Sequence, residues 1–259
     1  HISGENLKGV VALKKQEVTR EDISRAVESA RTLAVIPHER RILHVIPREF
    51  MVDDQEGVRE PLGMSGNRLE VNVHVITGAV TSAQNIIKSV NRAGLDVVDI
   101  ILQPLASSEA VLSAEERELG VAMVDLGGGT TDLAIFLDGS IRHTAVLPIG
   151  GQNLTKDLAI GLLTSQTDAE KIKVQHGIAR TELVHGHQMV EVPSVGDRPP
   201  RQFTRRDIAE ILEPRVEEMF DLVKREIVRA GYEGMLGAGV VITGGTSLLE
   251  GMPDAAERG

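Results

Sequence analysis

The chain has 259 residues, 41% of them hydrophobic and 25% charged, which is the composition of an ordinary globular protein with a substantial core. Its formal net charge of −10, its four phenylalanines, its single tyrosine and its lack of tryptophan argue against nucleic acid as a partner, because an acidic surface repels phosphates and few rings can stack on bases. The absence of cysteine excludes disulfides, thiolate metal sites and cysteine nucleophiles, and it fits a reducing compartment.

Residues 1–78 are predicted to form a small α+β unit. A strand is predicted around 9–13, and Thr19 is the expected N-cap of a helix with an acid at its third position. Two β-rich runs follow, at 41–52 and at 69–76, and the second alternates apolar and polar residues as a half-buried strand does. One helix packed on about three strands is the expected architecture.

Residues 79–118 are predicted to be mostly helical. Ser82 is the expected N-cap of one helix, and Gly94 is its expected end. A short strand is predicted over 97–101, and a second helix follows at Gln103.

Residues 119–163 begin with the apolar run 121–124, which is typical of a strand covered on both faces. The glycine-rich segment 125–132 leads into a second strand and then, through a tight hairpin, into a third. A helix is predicted from the glycine pair at 150–151 to about residue 163.

Residues 164–235 are predicted to form another unit. It contains a helix near 168–178, a β-like stretch at 182–193 and a loop rich in proline and glycine. Thr204 then N-caps a long amphipathic helix, which Pro214 is expected to kink.

The segment 125–132 is the strongest functional pattern. Three consecutive glycines, Gly127, Gly128 and Gly129, let successive backbone N–H groups point into one concavity suited to phosphate oxygens. Thr130 adds a hydroxyl donor, and Asp125 is placed to hold Mg²⁺ through waters. The alternative is a glycine-rich turn with ordinary hydroxyl contacts.

A second glycine pattern lies in residues 236–259. A buried strand is predicted there, and it runs into Gly244, Gly245 and Thr246 at a helix start. Glycines there allow a flat ligand to approach the backbone, and a helix N-terminus favours an anion. The alternative is a tight strand-to-helix turn, but two such patterns together favour a nucleotide cleft.

Glu170 and Lys173 lie three residues apart on one face of a predicted helix. They are suited to binding a ribose and flanking an adenine. The alternative is an ordinary solvated ion pair.

Taken together, these three patterns resemble the second phosphate loop, the adenosine motif and the ribose- and adenine-contacting pair of the actin, sugar-kinase and heat-shock-chaperone ATPases. The resemblance implies an α/β, actin-like (ribonuclease-H-like) fold that binds ATP and Mg²⁺. It also implies that Gln103 falls where actins place the residue that orients the attacking water.

Within that superfamily, the chain resembles the FtsA family of bacterial cell-division proteins. Six stretches carry this resemblance: His44–Pro47, Leu105–Ser108, Glu116–Val121, Glu191–Gly196, Arg198–Arg201 and Glu213–Arg215.

The resemblance also implies a division of the chain into subdomains. It implies an FtsA-type inserted subdomain (1C, SHMA-like) in 1–78 and the remainder of subdomain 1A in 79–118. Subdomain 2A is then expected in two parts, 119–163 and 236–259, with subdomain 2B in 164–235.

The family resemblance implies an adaptor that binds ATP, polymerises with other FtsA subunits and sits on the inner face of the cytoplasmic membrane at the division site. Such a protein binds the C-terminal tail of FtsZ, tethers the Z-ring and recruits later divisome proteins. ATP is then mainly a structural switch, and the protein is at most a slow ATPase. A PilM-like pilus scaffold and a small-molecule kinase are the alternatives.

Arg201, Arg215 and Glu218 are expected to belong to the subdomain that receives the FtsZ tail. That tail is short, acidic and apolar, so its receptor needs cations beside an apolar groove. The alternative is a solvated helix face.

The ends of the chain favour a fragment. It begins with His1, carries no secretion signal and has no apolar run of about 18 residues. The superfamily's first phosphate loop and the C-terminal membrane helix of FtsA find no match. The fragment is therefore expected to bind ATP poorly and not to bind membrane alone.

Overall fold

A computed structural model describes residues 2–196 and 198–258. His1 and Gly259, at the ends of the predicted subdomains, and Asp197, in the predicted Pro/Gly loop, lie outside the described residues. The chain divides into two compact units. The first unit runs to Val121 and includes Ala134–Val146; the second comprises Ala122–Leu133 and the chain from Leu147 onwards. No helix in the described ranges is long and apolar enough to cross a bilayer.

The first unit contains an antiparallel sheet of four strands in the order β1-β4-β2-β3. The strands are β1 (Ile2–Ala12), β2 (Arg40–Val52), β3 (Gln55–Val58) and β4 (Arg68–Ala79). The long central strands agree with the predicted β-rich runs, which proved to be continuous. The prediction missed β3, a short polar strand whose four residues carry no alternating apolar pattern.

Helix α1 (Arg20–Thr32) packs on this sheet. The predicted N-cap is confirmed: Thr19 and Asp22 form a capping box. Hydrogen bonds from Thr19 and Arg25 hold the pKa of Asp22 at about 2. A Cβ on Gly9 of β1 would overlap the carbonyl oxygen of Ala26, so strand and helix pack in backbone contact there.

Three helices follow in the first unit: α2 (Val80–Arg92), α3 (Gln103–Val111) and α4 (Ala114–Leu119). The predicted N-cap at Ser82 is wrong, because β4 runs directly into α2 and Ala79 takes that position. The strand predicted over 97–101 is also wrong, since these residues pair with no strand of the described chain. A β-rich run becomes a strand only where a neighbour accepts its hydrogen bonds.

The remaining strands are β5 (Val121–Leu126), β6 (Thr131–Leu137), β7 (Ser140–Leu147), β8 (Met189–Val192), β9 (Arg201–Thr204) and β10 (Val240–Thr243). In the second unit β5 lies between β10 and the start of β6, and β8 pairs with β9. In the first unit the end of β6 pairs with β7. Every residue of β5 is buried, as its continuous apolar run predicts.

The helices of the second unit are α5 (Gly151–Gly161), α6 (Gln166–His176), α7 (Arg205–Arg229) and α8 (Met252–Arg258), with short 3-10 turns at Thr181–Leu183 and Gly245–Leu248. Thr204 caps α7 as predicted. Helix α7 continues through Pro214 as one element. The β-like stretch predicted at 182–193 is a strand only in its second part, β8.

Candidate functional site

The two glycine segments meet at one edge of the sheet. Strands β5 and β10 are parallel, with Thr243 opposite Asp125, so both segments leave the carboxyl ends of neighbouring strands. Gly244 has φ +88°, and a Cβ there would lie 2.5 Å from Asp125 Oδ1 and 2.6 Å from the carbonyl oxygen of Leu126. Only glycine fits this close approach.

The segment after β5 is a tight turn whose backbone groups hydrogen-bond within the turn and to helix α5. The Gly127 amide donates to the Thr130 carbonyl oxygen (2.9 Å). The carbonyl oxygens of Gly127 and Gly128 accept hydrogen bonds from the first amides of α5, those of Gly151 (2.9 Å) and Gln152 (2.7 Å). These helix amides would otherwise lack partners, and here they anchor the loop.

The amides of Gly128 and Gly129 take no part in these hydrogen bonds. Among the described residues, no backbone hydrogen bond outside the helices and strands uses either amide. Two successive free N–H groups beside a turn form a nest that suits an anion such as a phosphate oxygen. A nest of this kind would account for three consecutive glycines, which an ordinary hairpin turn does not need.

Glu170 and Lys173 on α6 lie against the first turns of α5. The Lys173 ammonium donates to the Gly151 carbonyl oxygen (3.0 Å), the Thr155 hydroxyl (2.9 Å) and the Glu170 carboxylate (2.7 Å). Burial alone would raise the pKa of Glu170, but hydrogen bonds from Lys173 and Thr155 bring it below its usual value. A solvated surface pair would not anchor two helices in this way.

A cavity of about 710 Å³ is lined by five of the predicted nucleotide residues, Gly128, Glu170, Lys173, Gly245 and Thr246. The other four, Gly127, Gly129, Thr130 and Gly244, are not among its lining residues. This volume falls in the usual range for small-molecule sites. Its polar lining comes from both glycine segments and from α5 and α6: Gly128, Gln152, Glu170, Lys173, Gly245 and Thr246. Its apolar lining includes Val174, Leu248 and Leu249. Val174 and Leu248 are 73% and 87% exposed, so they offer uncovered apolar surface to the cavity.

Ten further lining residues, among them Gly151, Gln152 and Arg205, were not predicted to belong to the site. Arg205 pairs with Glu250 at the rim and donates to the His176 carbonyl oxygen (3.1 Å). The glycine pair at the start of α5 was noticed only as a helix start. A second glycine pair directly before a helix was the available indication that backbone approaches backbone there.

Asp125 and Asp132 bracket the phosphate loop from inside the second unit. Both are buried, and Thr130 donates its hydroxyl proton to Asp132 (3.1 Å). Burial, and next the negative charge of Asp125, raise the pKa of Asp132. A cation would relieve that repulsion. In the described ranges no cluster of three or more His, Cys, Asp or Glu side chains offers direct metal ligation.

Gln103 and the predicted partner residues lie outside this cavity. Gln103 is the first residue of α3 in the first unit. Arg215 on α7 forms a two-point ion pair with Asp157 on α5 (2.7 and 3.3 Å) and also pairs with Glu218. Hydrogen bonding to Asp157 raises the pKa of Arg215.

Arg201, the third predicted partner residue, caps the end of α5. Its guanidinium donates to the carbonyl oxygens of Leu162 and Leu163 and lies 5.3 Å from the ring centroid of Phe203. It also lines a 510 Å³ groove with Leu163 and Val195, both 63% exposed. Leu163 has φ +48°, a left-handed conformation that costs a leucine energy and that clusters at functional sites.

Two family models match the chain. The model described as "Cell division protein FtsA" matches residues 122–259. The model described as "SHS2 domain inserted in FTSA" matches residues 1–77.

Curated relatives carry the same description, "Cell division protein FtsA". The Pseudomonas aeruginosa protein is 51% identical over 100% of this chain and 62% of its own length. The Escherichia coli K12 protein is 45% identical over 100% of this chain and 63% of its length, and the Bacillus subtilis protein is 40% identical over 99% and 58%. The chain therefore spans about three fifths of the length of these relatives.

Solved structures share the fold. The PilM-PilN type IV pilus biogenesis complex matches with a TM-score of 0.61 and 16% identity, over 98% of this chain and 64% of that chain. MreB5 of Spiroplasma citri bound to ADP matches with a TM-score of 0.51 and 20% identity, over 67% and 56%. At these identities the likeness shows the fold alone, and it confirms the predicted α/β actin-like architecture.

Proposed function

The chain belongs to the FtsA family of cell-division proteins, and from this premise we propose that its second unit holds ATP and Mg²⁺. The observation that carries the proposal is the single cavity shared by the triglycine loop, the Glu170–Lys173 pair and the Gly244–Thr246 segment. The cavity offers polar groups suited to phosphates and apolar side chains suited to a purine.

The phosphate end rests on backbone groups and not on cationic side chains. The free amides of Gly128 and Gly129 would donate to phosphate oxygens. The Thr130 hydroxyl donates to Asp132 (3.1 Å) and would have to leave that carboxylate to donate to a phosphate. Lys173 holds the Gly151 carbonyl oxygen and Glu170, so its charge serves the frame of the site as well as the ligand. Gly245 has open space beside it, which leaves room for a flat ligand.

Asp125 and Asp132 are the residues that would hold Mg²⁺, through water. When bound, the ion would offset the negative charge of the phosphates and of the two carboxylates. By analogy with actins, Gln103 is the residue proposed to orient an attacking water. The chain uses nucleotide mainly as a structural switch and is at most a slow ATPase.

At the level of the cell, the proposal is an adaptor. The protein polymerises with other FtsA subunits, binds the C-terminal tail of FtsZ and recruits later divisome proteins. It works on the inner face of the cytoplasmic membrane at the division site, through a C-terminal membrane helix. The identity of 40–51% to curated FtsA proteins supports this reading over a PilM-like scaffold or a small-molecule kinase.

The face formed by α5 and α7 is proposed to receive the FtsZ tail. Arg215 and Glu218 lie on α7, Ile160 on α5 is 63% exposed, and the groove beside Arg201 is apolar. An acidic and apolar peptide would find both a cation and uncovered apolar surface there. Since Arg215 already pairs with Asp157, a peptide carboxylate has to compete for it.

This competition gives a sharp test by fluorescence anisotropy of a labelled FtsZ C-terminal tail peptide. We expect saturable binding by the wild type and a loss of more than about tenfold in affinity for Arg215→Glu. Both that variant and Asp157→Asn remove the pair between α5 and α7. Only Asp157→Asn keeps the arginine, and by freeing it this control is expected to retain or strengthen binding.

Two outcomes would contradict the proposed docking site. Equal loss of affinity in both variants would mean that the ion pair only holds the two helices together. No binding by a folded wild-type protein would remove the FtsZ-receiving role from this face.

A further inference from the structure

The hydroxyl of Thr246 joins the segment after β10 to the glycine loop after β5. Thr246 is 9% exposed, and its Oγ1 donates to the carbonyl oxygen of Gly127 at 3.0 Å, across 119 positions of sequence. The same carbonyl oxygen accepts the Gly151 amide at 2.9 Å. Both of its lone pairs are therefore used.

These two hydrogen bonds fix the direction of the first peptide group in the phosphate loop. With the Gly127 carbonyl held against α5 and Thr246, the next two amides, those of Gly128 and Gly129, remain available as an anion nest. Without the Thr246 hydroxyl, the Gly127 carbonyl oxygen would accept only the Gly151 amide, and the Gly127–Gly128 peptide group would be free to tilt.

The shapes of the neighbours fit this contact. A Cβ on Gly151 would overlap Thr246 Oγ1, so the space for the hydroxyl exists only because residue 151 is a glycine. The Gly151 carbonyl oxygen in turn accepts from Lys173 (3.0 Å), which pairs with Glu170 (2.7 Å). One continuous series of hydrogen bonds thus connects the α6 pair, the start of α5, the phosphate loop and the segment after β10.

We propose that Thr246 is a positioning residue that couples the segment after β10 to the phosphate loop, residues 127–130, by holding the Gly127 carbonyl. Its hydroxyl then acts through the loop and not on the ligand. The proposal rests on the proposed nucleotide binding, and it names a residue that determines how strongly the phosphates, as opposed to the nucleoside, contribute to affinity.

The test uses the protein at its full length and compares the wild type, Thr246→Val and Thr246→Ser by calorimetric titration with ATP, ADP and adenosine, each with Mg²⁺. Loss of one positioned hydrogen bond corresponds to about tenfold. We expect Thr246→Val to weaken ATP and ADP about tenfold and adenosine by a smaller factor, with Thr246→Ser restoring the wild-type values. Unchanged ATP affinity, or an equal loss for adenosine, would overturn the proposal.

A second measurement needs no ligand. Amide hydrogen exchange of Gly151, whose N–H is bonded to the Gly127 carbonyl oxygen, should be faster in Thr246→Val than in the wild type and normal in Thr246→Ser. Unchanged exchange would refute the coupling, even if the wild type bound no nucleotide. Absence of nucleotide binding by the wild type together with faster exchange would instead refute the proposed function and leave the coupling standing.

Discussion

Substitution of Gly150 by alanine is expected to abolish nucleotide binding and to destabilise the second unit by about 3 kcal/mol. The added Cβ would lie 2.7 Å from the carbonyl oxygens of both Gly127 and Gly128, which are backbone atoms that cannot rotate away. The φ of Gly150 is −170°, which any residue adopts, so the effect is purely steric. To relieve it, the loop must move and lose its two hydrogen bonds to α5.

Urea unfolding measures the stability, and titration with ATP measures the binding. Gly245→Ala is the matched control for stability, because no atom lies within 4 Å of a Cβ there. We expect its free energy of unfolding to stay within about 0.5 kcal/mol of the wild type. Wild-type stability and affinity in Gly150→Ala would mean that the loop does not depend on its contact with α5.

A loss of stability of about 3 kcal/mol between pH 7 and pH 4 is expected from His74 alone. Its ring is buried on β4, where Nδ1–H donates to Asn6 Oδ1 (2.7 Å) and Nε2 accepts from the Thr144 hydroxyl (3.0 Å). Burial, and next the positive charges of His143 and Arg48, lower the pKa of His74 from 6.5 to about 4.

The direction of this change in stability follows from proton binding. Between pH 6.5 and pH 4 the unfolded chain binds the proton at residue 74 and the folded chain does not, so acid favours unfolding. The stability that neutral His74 contributes to the folded chain is complete above pH 6.5 and is lost as the pH falls towards 4. Asp22, with its pKa of about 2, adds a further loss only at lower pH.

Urea unfolding of the wild type and of His74→Gln at both pH values checks this contribution. The variant is expected to be less stable at pH 7, because it loses the packed ring. Its further loss on going to pH 4 should be smaller than that of the wild type by about 3 kcal/mol. Parallel losses in the two proteins would place the acid sensitivity elsewhere, for example at His44, whose pKa burial also lowers.

Local chemistry explains why much of the fold was predictable. The capping boxes at Thr19 and Thr204 depend on residues three positions apart, and both formed as predicted. The buried strand before the triglycine follows from a run of apolar residues. These features need no information from distant parts of the chain.

The errors arose where a distant partner decides the structure. The run at 97–101 has the composition of a strand, but no described strand pairs with it. Ser82 is a good N-cap by type, but the unbroken path from β4 into α2 leaves no place for a cap there. Sequence pattern alone does not carry these pairings.

The candidate site shows the same division. The glycines and the acidic and basic residues of the site could be identified from the sequence, because phosphate and nucleoside binding demand those residue types. The role of Gly151 could not be predicted, since it depends on a hydrogen bond to Gly127 and on the space next to Thr246. The ion pair between Arg215 and Asp157 joins residues 58 positions apart and could not be predicted from the sequence either.

Hydrogen exchange of the full-length protein with and without ATP and Mg²⁺ is the most direct test of nucleotide binding at the two glycine segments. We expect slower exchange in the segments 127–130 and 244–246, because the loop amides would donate to phosphate oxygens, and no change in the strands β8 and β9. Saturable ATP binding without protection in either glycine segment would contradict the account, since the nucleotide would then lie elsewhere.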